Sequence, residues 1–462
     1  MTHIDALPPS LLSWISATAG GELVSVARHV ARREAWNVEI RNPQGEPTRY
    51  FLRIDRDLAQ GRVSTRNLRR ESRLIEYLNG AGIPAQKILG WNDEHCAALQ
   101  SFEPGVADLR RETPALQDKI MRQFMEILAD LHNIDVATLD LPEFQYPKTP
   151  LEHSLLEIEA VEEPGLFPVS VCKTDALAAF GKRWLINHAP ATVERTVLLQ
   201  GDTGPANFLY DPDRVKVTVV VDWEWAHYGD PLEDLGNIWV RDFFCPSSGG
   251  DLTPYFRHYA ARAGVKLDRT KINYYRIHQL ARGVQGLARL ATHLNWQETI
   301  SLNLGYRAYL NLHTCRAMRE VAGEKPPSNP EPALAMSVQE DSLQGVMARQ
   351  IEAFVIPHVS DPFAKFMAEG HVNLARHLDL QARYGAEVDA REREGLGELL
   401  GQRVTDLAQS RRDLIALIET LDKANEGPVL AHLSRMADLQ ATLMAPLIAP
   451  FGTTQWAKLD IP

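Results

Sequence analysis

Cysteine is scarce in this chain: Cys96, Cys172, Cys245 and Cys315 are the only four among 462 residues, and no CxxC pair occurs. That scarcity excludes a disulfide scaffold and a thiolate-based structural zinc, and it suits a reducing compartment. Basic residues are outnumbered, 49 Lys and Arg against 60 Asp and Glu, for a formal net charge of −11. A protein organised around nucleic-acid phosphates needs the opposite balance, so no nucleic-acid partner is expected. Long apolar runs are missing too, none approaching the roughly 18 residues that span a bilayer. The opening MTHIDALPPSLLSW carries an acid and two prolines where a secretory leader would be basic and then apolar. No membrane contact and a cytoplasmic location are the expectations. What is present, 45% hydrophobic and 24% charged residues, is an ordinary globular mixture, and the length favours two or three domains.

Patterning changes along the chain. Residues 35–54 hold two β-rich runs around the turn cluster Asn42-Pro43-Gln44-Gly45, and Tyr50, Leu52 and Ile54 alternate with Phe51 and Arg53. Thr65 to Leu78 reads as a helix stopped by Gly80 and Gly82, and 87–102 as another strand pair. From about 115 the period is helical up to His132, a residue to which no chemistry is assigned. A stretch punctuated by Pro142, Pro147, Pro150, Pro164 and Pro168 reads as an irregular connection. Segments 255–265, 270–293 and 298–321 read as long helices. The proline-rich 322–335 reads as a boundary, with an all-helical tail beyond it. His371 and His377, six apart in that tail, would not share a helix face, so no metal site is expected there.

The chemistry-bearing stretch is 198–235. An acid stands in a glycine-flanked loop, Gln200-Gly201-Asp202, with an amide five residues on at Asn207. A second acid, Asp222, ends the apolar run Val217 to Val221. A turn aspartate near an incoming hydroxyl can accept its proton, while an amide oxygen and a carboxylate are hard ligands for Mg²⁺ bridging phosphate oxygens. Two short strands meeting at a turn would hold these oxygens together.

LLQGDTGPANFLYD followed by VVVDWEWAHYGDPLEDLGNI resembles the aminoglycoside-phosphotransferase and choline-kinase-like family of small-molecule kinases. LADLHNID at 128–135 and LQSFEPG at 99–105 are similar to the family's helix before the catalytic loop and to its interlobe linker. The resemblance implies an α+β, bilobal protein-kinase-like fold: an N-terminal antiparallel β-sheet lobe (1–105), a mainly helical C-terminal lobe (106–325), and here an extra all-helical domain (336–462). It implies Mg²⁺ and ATP (or GTP), with Asp202 as base and Asn207 and Asp222 as metal ligands. Arg53 on YFLRI would bind the nucleotide phosphates, held by Glu71, and Gln100, Ser101 and Phe102 would lie against the base. Gln200 and Asp234 would support the catalytic loop.

Two features depart from the family pattern. Gln200 replaces its histidine, and the loop between the first strands has Arg32-Arg33-Glu34-Ala35-Trp36 in place of a glycine-rich run. Arg32 and Arg33 then become candidates for contacting phosphate through side chains. The expected acceptor is a hydroxyl on a small molecule, with a hydroxyacyl-CoA as a candidate because DWEWAHYGDPLEDLGN resembles the kinase domain fused to some acyl-CoA dehydrogenases. Two alternatives stand beside this reading: a pseudokinase-like binding or scaffolding protein, and an antibiotic-modifying kinase. Homodimerisation through the C-terminal helices is a further expectation.

Overall fold

The computed structural model describes residues 7–29, 34–61, 64–161, 169–291, 294, 296, 298–324, 335–452 and 454–462. They divide into two compact units assembled from discontinuous pieces of chain. One takes 1–156, 190–276 and 454–462; the other takes 157–189 and 277–453. The three consecutive segments expected from the sequence therefore differ from the observed grouping. A reader moving along the chain sees only neighbours, whereas a compact unit is defined by contacts between distant segments.

The first unit begins with helix α1 (Pro9–Ala19), which the sequence reading did not anticipate, and continues into strands β1 (Glu22–Arg28), β2 (Ala35–Arg41) and β3 (Pro47–Ile54). A short helix α2 (Arg56–Ala59) precedes α3 (Leu68–Gly80), then β4 (Ile88–Asn92) and β5 (Ala97–Ser101). The strands form one antiparallel sheet in the order β1-β2-β3-β5-β4. Alternation decides its two faces. Val38, Ile40, Leu52, Ile54, Ala97 and Leu99 cluster with Leu11 and Ile15 of α1, so α1 covers one side. Phe51, Arg53, Ala98 and Gln100 belong to the other side, because Phe51 pairs with Gln100 and Arg53 with Ala98. The turn at Asn42 forms where expected: its side-chain oxygen accepts the N–H groups of Gln44 and Glu46 at 3.0 and 2.9 Å.

Helix α4 (Pro114–His132) follows, then α5 (Pro150–Val161). The helix at 150 corrects the expectation of an irregular connection. Pro150 occupies the first helical position, where a missing N–H costs nothing, so it starts a helix instead of breaking one. After α6 (Ala176–Asn187), the chain returns to the first unit with β6 (Val197–Leu199), β7 (Phe208–Asp211), β8 (Lys216–Val220) and β9 (His227–Gly229). Strand β6 pairs with β9, and β7 with β8. Helices α7 (Pro231–Phe244), α8 (Thr253–Ala263) and α9 (Arg269–Ala288) come next, α9 running on into the second unit. Residues 454–462 fold with the first unit: Trp239 donates to the Ala457 carbonyl at 2.9 Å, and Trp456 stacks on Phe243 at 4.1 Å.

The second unit is helical among its described residues: α6, the end of α9, α10 (Ile300–Val321), α11 (Leu343–Gln350), the 39-residue α12 (Pro362–Leu400), α13 (Leu407–Glu419), α14 (Glu426–Leu443) and α15 (Ala445–Ile448). Segment 157–189 belongs with the tail because its polar groups are satisfied there. Asn187 donates to the Leu421 carbonyl at 3.1 Å and to Glu426 at 2.8 Å, and His188 meets the same carboxylate at 2.8 Å. His377, on α12, contacts the Leu443 carbonyl at 2.9 Å. Among the described residues no helix is long and apolar enough to cross a membrane.

This unit carries an acid-sensitive group. Burial, aided by Arg316, pushes the His313 imidazole of α10 down from 6.5 to about 4. Between those values the unfolded chain binds the extra proton, so stability is full above pH 6.5 and falls as pH drops towards 4. At 1.36 kcal/mol per unit the loss is on the order of 3 kcal/mol. Urea denaturation at pH 7 and pH 4.5 should show a smaller acid penalty in His313→Gln than in the wild type; equal penalties would contradict the assignment.

Candidate active site

The loop between β6 and β7 is built on a buried carboxylate. Asp234 of α7, fully buried, accepts the N–H groups of Gln200 and Gly201 at 3.0 Å each and the Thr203 hydroxyl at 2.5 Å. His132, at the end of α4, meets it at 3.0 Å with one ring nitrogen and Tyr259 at 2.6 Å with the other. Burial alone would raise the Asp234 pKa. The hydrogen bonds from His132, Thr203 and Gln200 outweigh that and hold it below the usual carboxylate range. Two glycines let the loop pass close to its neighbours. At Gly201, with φ +82°, a Cβ would lie 2.0 Å from the Trp225 carbonyl oxygen.

Gln200 occupies the histidine position of the family pattern and uses both ends of its amide. Its Nε2 donates to the carbonyls of Val221 and Asp222 at 3.0 and 2.8 Å. Its Oε1 accepts the Asp202 N–H at 2.8 Å and the Thr203 hydroxyl at 3.1 Å. One side chain thus joins the loop to the strand end that bears Asp222.

Asp202, Asn207 and Asp222 are brought together. Asn207 Nδ2 donates to the Asp202 carbonyl at 2.6 Å and to its carboxylate at 2.9 Å. The Val221 N–H donates to the Asn207 carbonyl at 2.9 Å, extending the β7–β8 ladder, so Asn207 and Asp222 flank the same end of that ribbon. Asp222 adopts a left-handed backbone, φ 62°, a strained conformation for a residue with a side chain. Its carboxylate accepts no hydrogen bond from any described side chain or N–H. Burial first, and then Glu224 alongside, push it up to about 7 despite Arg53.

Arg53 and Glu71 form the expected pair, 2.5 Å apart, linking β3 to α3. Glu71 is 1% exposed and Arg53 13%. Glu224 approaches Arg53 at 3.9 Å. Burial would weaken the Arg53 cation, but Glu71, Asp222 and Glu224 together hold it protonated well beyond its ordinary range. The preceding residue, Arg70, donates to the Ala226 carbonyl at 2.5 Å and lies 3.7 Å over the Phe144 ring, so α3 grips the segment just after Asp222.

At the linker, the Ser101 hydroxyl accepts the Lys87 N–H at 2.9 Å and donates to Glu103 at 2.6 Å, and Phe102 lies 3.7 Å beneath the Arg49 guanidinium. Gln100, 1% exposed, shares the sheet side of Arg53, and its amide nitrogen has no hydrogen-bond partner among the described residues. Arg32 and Arg33 lie outside the described residues. Beside them, Glu34 takes Arg56 at 2.5 Å and the Trp36 indole N–H at 3.0 Å, anchoring the start of β2.

Sequence reasoning missed Arg241. Ten residues into α7, it donates to Asn207 Oδ1 at 2.7 Å and to the Pro205 carbonyl at 3.2 Å, and it stands 3.6 Å from Asp202 Oδ2. Nothing in the spacing of 198–235 marks it, because the helix brings it back from 34 residues beyond Asn207.

This arrangement meets a family model. The model described as the phosphotransferase enzyme family (APH) matches residues 30–269, just over half of the chain. The chain belongs to that family. Mouse acyl-CoA dehydrogenase family member 10 is 23% identical to this phosphotransferase over 266 residues, which is 52% of this chain and 23% of that protein. Rat acyl-CoA dehydrogenase family member 11 is 27% identical over 139 residues, 29% of this chain and 16% of that protein. The chain therefore spans only a minor part of the curated relatives it matches. Among solved structures, a putative aminoglycoside phosphotransferase from Ralstonia eutropha JMP134 is 20% identical with a TM-score of 0.48, covering 69% of this chain and 98% of that one.

Proposed function

We propose that this phosphotransferase moves the γ-phosphoryl group of ATP or GTP onto a hydroxyl of a small molecule, with Asp202 as the general base. The observation that carries the reading is the joining of Asp202, Asn207 and Asp222 through Asn207 and Gln200, beside the Arg53–Glu71 pair. The acceptor oxygen forms the new bond to γ-phosphorus, its proton passes to the Asp202 carboxylate, and the bond to the β-phosphate oxygen breaks to release the nucleoside diphosphate. Arg53 holds the phosphates, and Gln100, Ser101 and Phe102 lie against the base.

The donor set fits Mg²⁺. Asn207 Oδ1 is an amide oxygen with two lone pairs, only one of them engaged by Arg241 in a printed contact, and Asp222 is a carboxylate without a hydrogen-bond donor. No group of three or more His, Cys, Asp or Glu among the described residues is arranged to hold a metal, which suits an ion whose other ligands are water and phosphate. When bound, the ion neutralises phosphate charge. The raised Asp222 pKa reflects an environment in which a carboxylate lacks a cation.

The candidate acceptor is a hydroxyacyl-CoA or related metabolite, a reading supported by the matches to two acyl-CoA dehydrogenase family members. The pseudokinase alternative rested on Gln200, and the hydrogen bonds of that side chain supply the bracing it was thought to lack.

A thermal-shift series with Mg²⁺ plus ATP or GTP, followed by a phosphotransfer screen over hydroxyl-bearing metabolites, tests the whole proposal. A ligand at a hundred times its dissociation constant stabilises the folded state by about 2.7 kcal/mol. The expected result is a rise in Tm that needs both nucleotide and metal and disappears with EDTA. No shift with either nucleotide at millimolar concentration refutes the reading.

A further inference from the structure

We infer that Arg241 makes the acceptor side of this site cation-excluding, so that it selects alcohols bearing a carboxylate or another anionic group near the hydroxyl and rejects amine-bearing alcohols. The inference rests on the phosphotransferase reading for its assignment of Asp202 as the residue that meets the acceptor.

Two guanidinium groups serve different partners. Arg53 is surrounded by Glu71, Asp222 and Glu224. Arg241 instead addresses the base itself, 3.6 Å from Asp202 Oδ2 and 2.7 Å from the Asn207 oxygen. Asn207 Nδ2 also holds Asp202 Oδ2, at 2.9 Å, so two donors lie on one carboxylate oxygen and the other is left to meet the hydroxyl. An acceptor presented to Asp202 is thus placed within a few ångströms of a fixed positive charge.

The loop is shaped around this side chain. Gly204, at φ +137°, would carry its Cβ 2.7 Å from Arg241 Cβ, so no side chain fits where α7 passes across the loop. The Pro205 carbonyl then accepts the guanidinium Nε–H at 3.2 Å. Nearby acids do not cancel the charge. Around Cys245, close to Arg241, the ionisable neighbours are Arg110, Asp108 and Asp242. Asp108 is taken by Arg110 at 2.8 Å, and Asp242 is buried, accepting the N–H groups of Ser247 and Ser248 at 2.9 Å. A site for a polycationic acceptor needs unspent carboxylates; here the guanidinium faces the base.

The test uses the full chain and three acceptors of equal length: a linear hydroxy carboxylate, the corresponding diol and the corresponding amino alcohol. Binding to enzyme holding Mg²⁺ and the non-hydrolysable nucleotide AMP-PNP is measured by calorimetry, and turnover with Mg²⁺ and ATP or GTP separately. The wild type should favour the hydroxy carboxylate over the amino alcohol by about tenfold or more, with the diol between, since like charges brought together at a recognition site are strongly penalised. Arg241→Gln should compress the spread to within about threefold, and Arg241→Lys, which keeps the charge but loses the planar fork, should retain the order at lower kcat. An amino alcohol that binds as well as the carboxylate, an order that survives in Arg241→Gln, or no binding of any of the three overturns the inference. Ordered binding without turnover sinks the phosphotransfer reading and leaves the charge selection standing. Turnover without order does the reverse.

Discussion

Asp202→Asn is expected to lower kcat by about 10²–10⁴-fold, the usual contribution of a positioned general base, while nucleotide binding stays at its wild-type level. The substitution is nearly isosteric, and the surroundings dictate its orientation. Asn207 Nδ2, at 2.9 Å, and Arg241 both address Oδ2, so the new side chain must turn its oxygen towards them and its NH₂ towards the acceptor. An amide nitrogen in that place cannot take a proton. The backbone of residue 202 keeps its bonds to Gln200 and Asn207, so the loop itself should persist. Steady-state kinetics beside nucleotide calorimetry would check this. A variant within tenfold of wild-type kcat removes Asp202 from the role of base.

The second large effect concerns stability. Asp234→Ala should cost about 3–5 kcal/mol, the range for removing one partner of a buried ionic network. Asp234 accepts from two loop N–H groups, the Thr203 hydroxyl and His132, and alanine would leave these donors buried without an acceptor. The sign with pH follows from its depressed pKa. The contribution is present at neutral pH, above the unfolded carboxylate value, and is lost as pH falls through the lower folded value. The difference between wild type and variant in urea denaturation should therefore be large at pH 7 and shrink in strong acid. A penalty below about 1 kcal/mol at pH 7 would mean that water or a shifted His132 replaces the carboxylate.

Gln200 shows how a residue can break a pattern without breaking its physics. The amide offers a donor and an acceptor on one planar group, and the loop needs both: carbonyls of Val221 and Asp222 on one side, the Asp202 N–H on the other. Sequence could supply the inventory of that side chain. The partners were visible only in three dimensions.

The position of Asp202, Asn207 and Asp222 was legible because the geometry joining them is local. A glycine-flanked loop runs into a two-stranded ribbon, and the ribbon's ladder fixes where its ends lie, so spacing along the chain carries the placement. Arg53 and Glu71 were legible for a similar reason, a strand face and a helix face separated by 18 residues. The sheet faces followed from alternation at Tyr50 to Ile54. By contrast, Pro150 reads as a breaker until its place at a helix start is seen, and segment 157–189 reads as part of its neighbours until Asn187 and His188 meet Glu426. Arg241 and Arg70 carried no signal at all, since each reaches its partners from a distant element. Sequence by itself determined the reacting groups and the order in which short-range geometry presents them. Only the tertiary structure decided which charges stand beside them and which segments share a core, because packing and electrostatics act through space between residues whose separation in the chain is arbitrary.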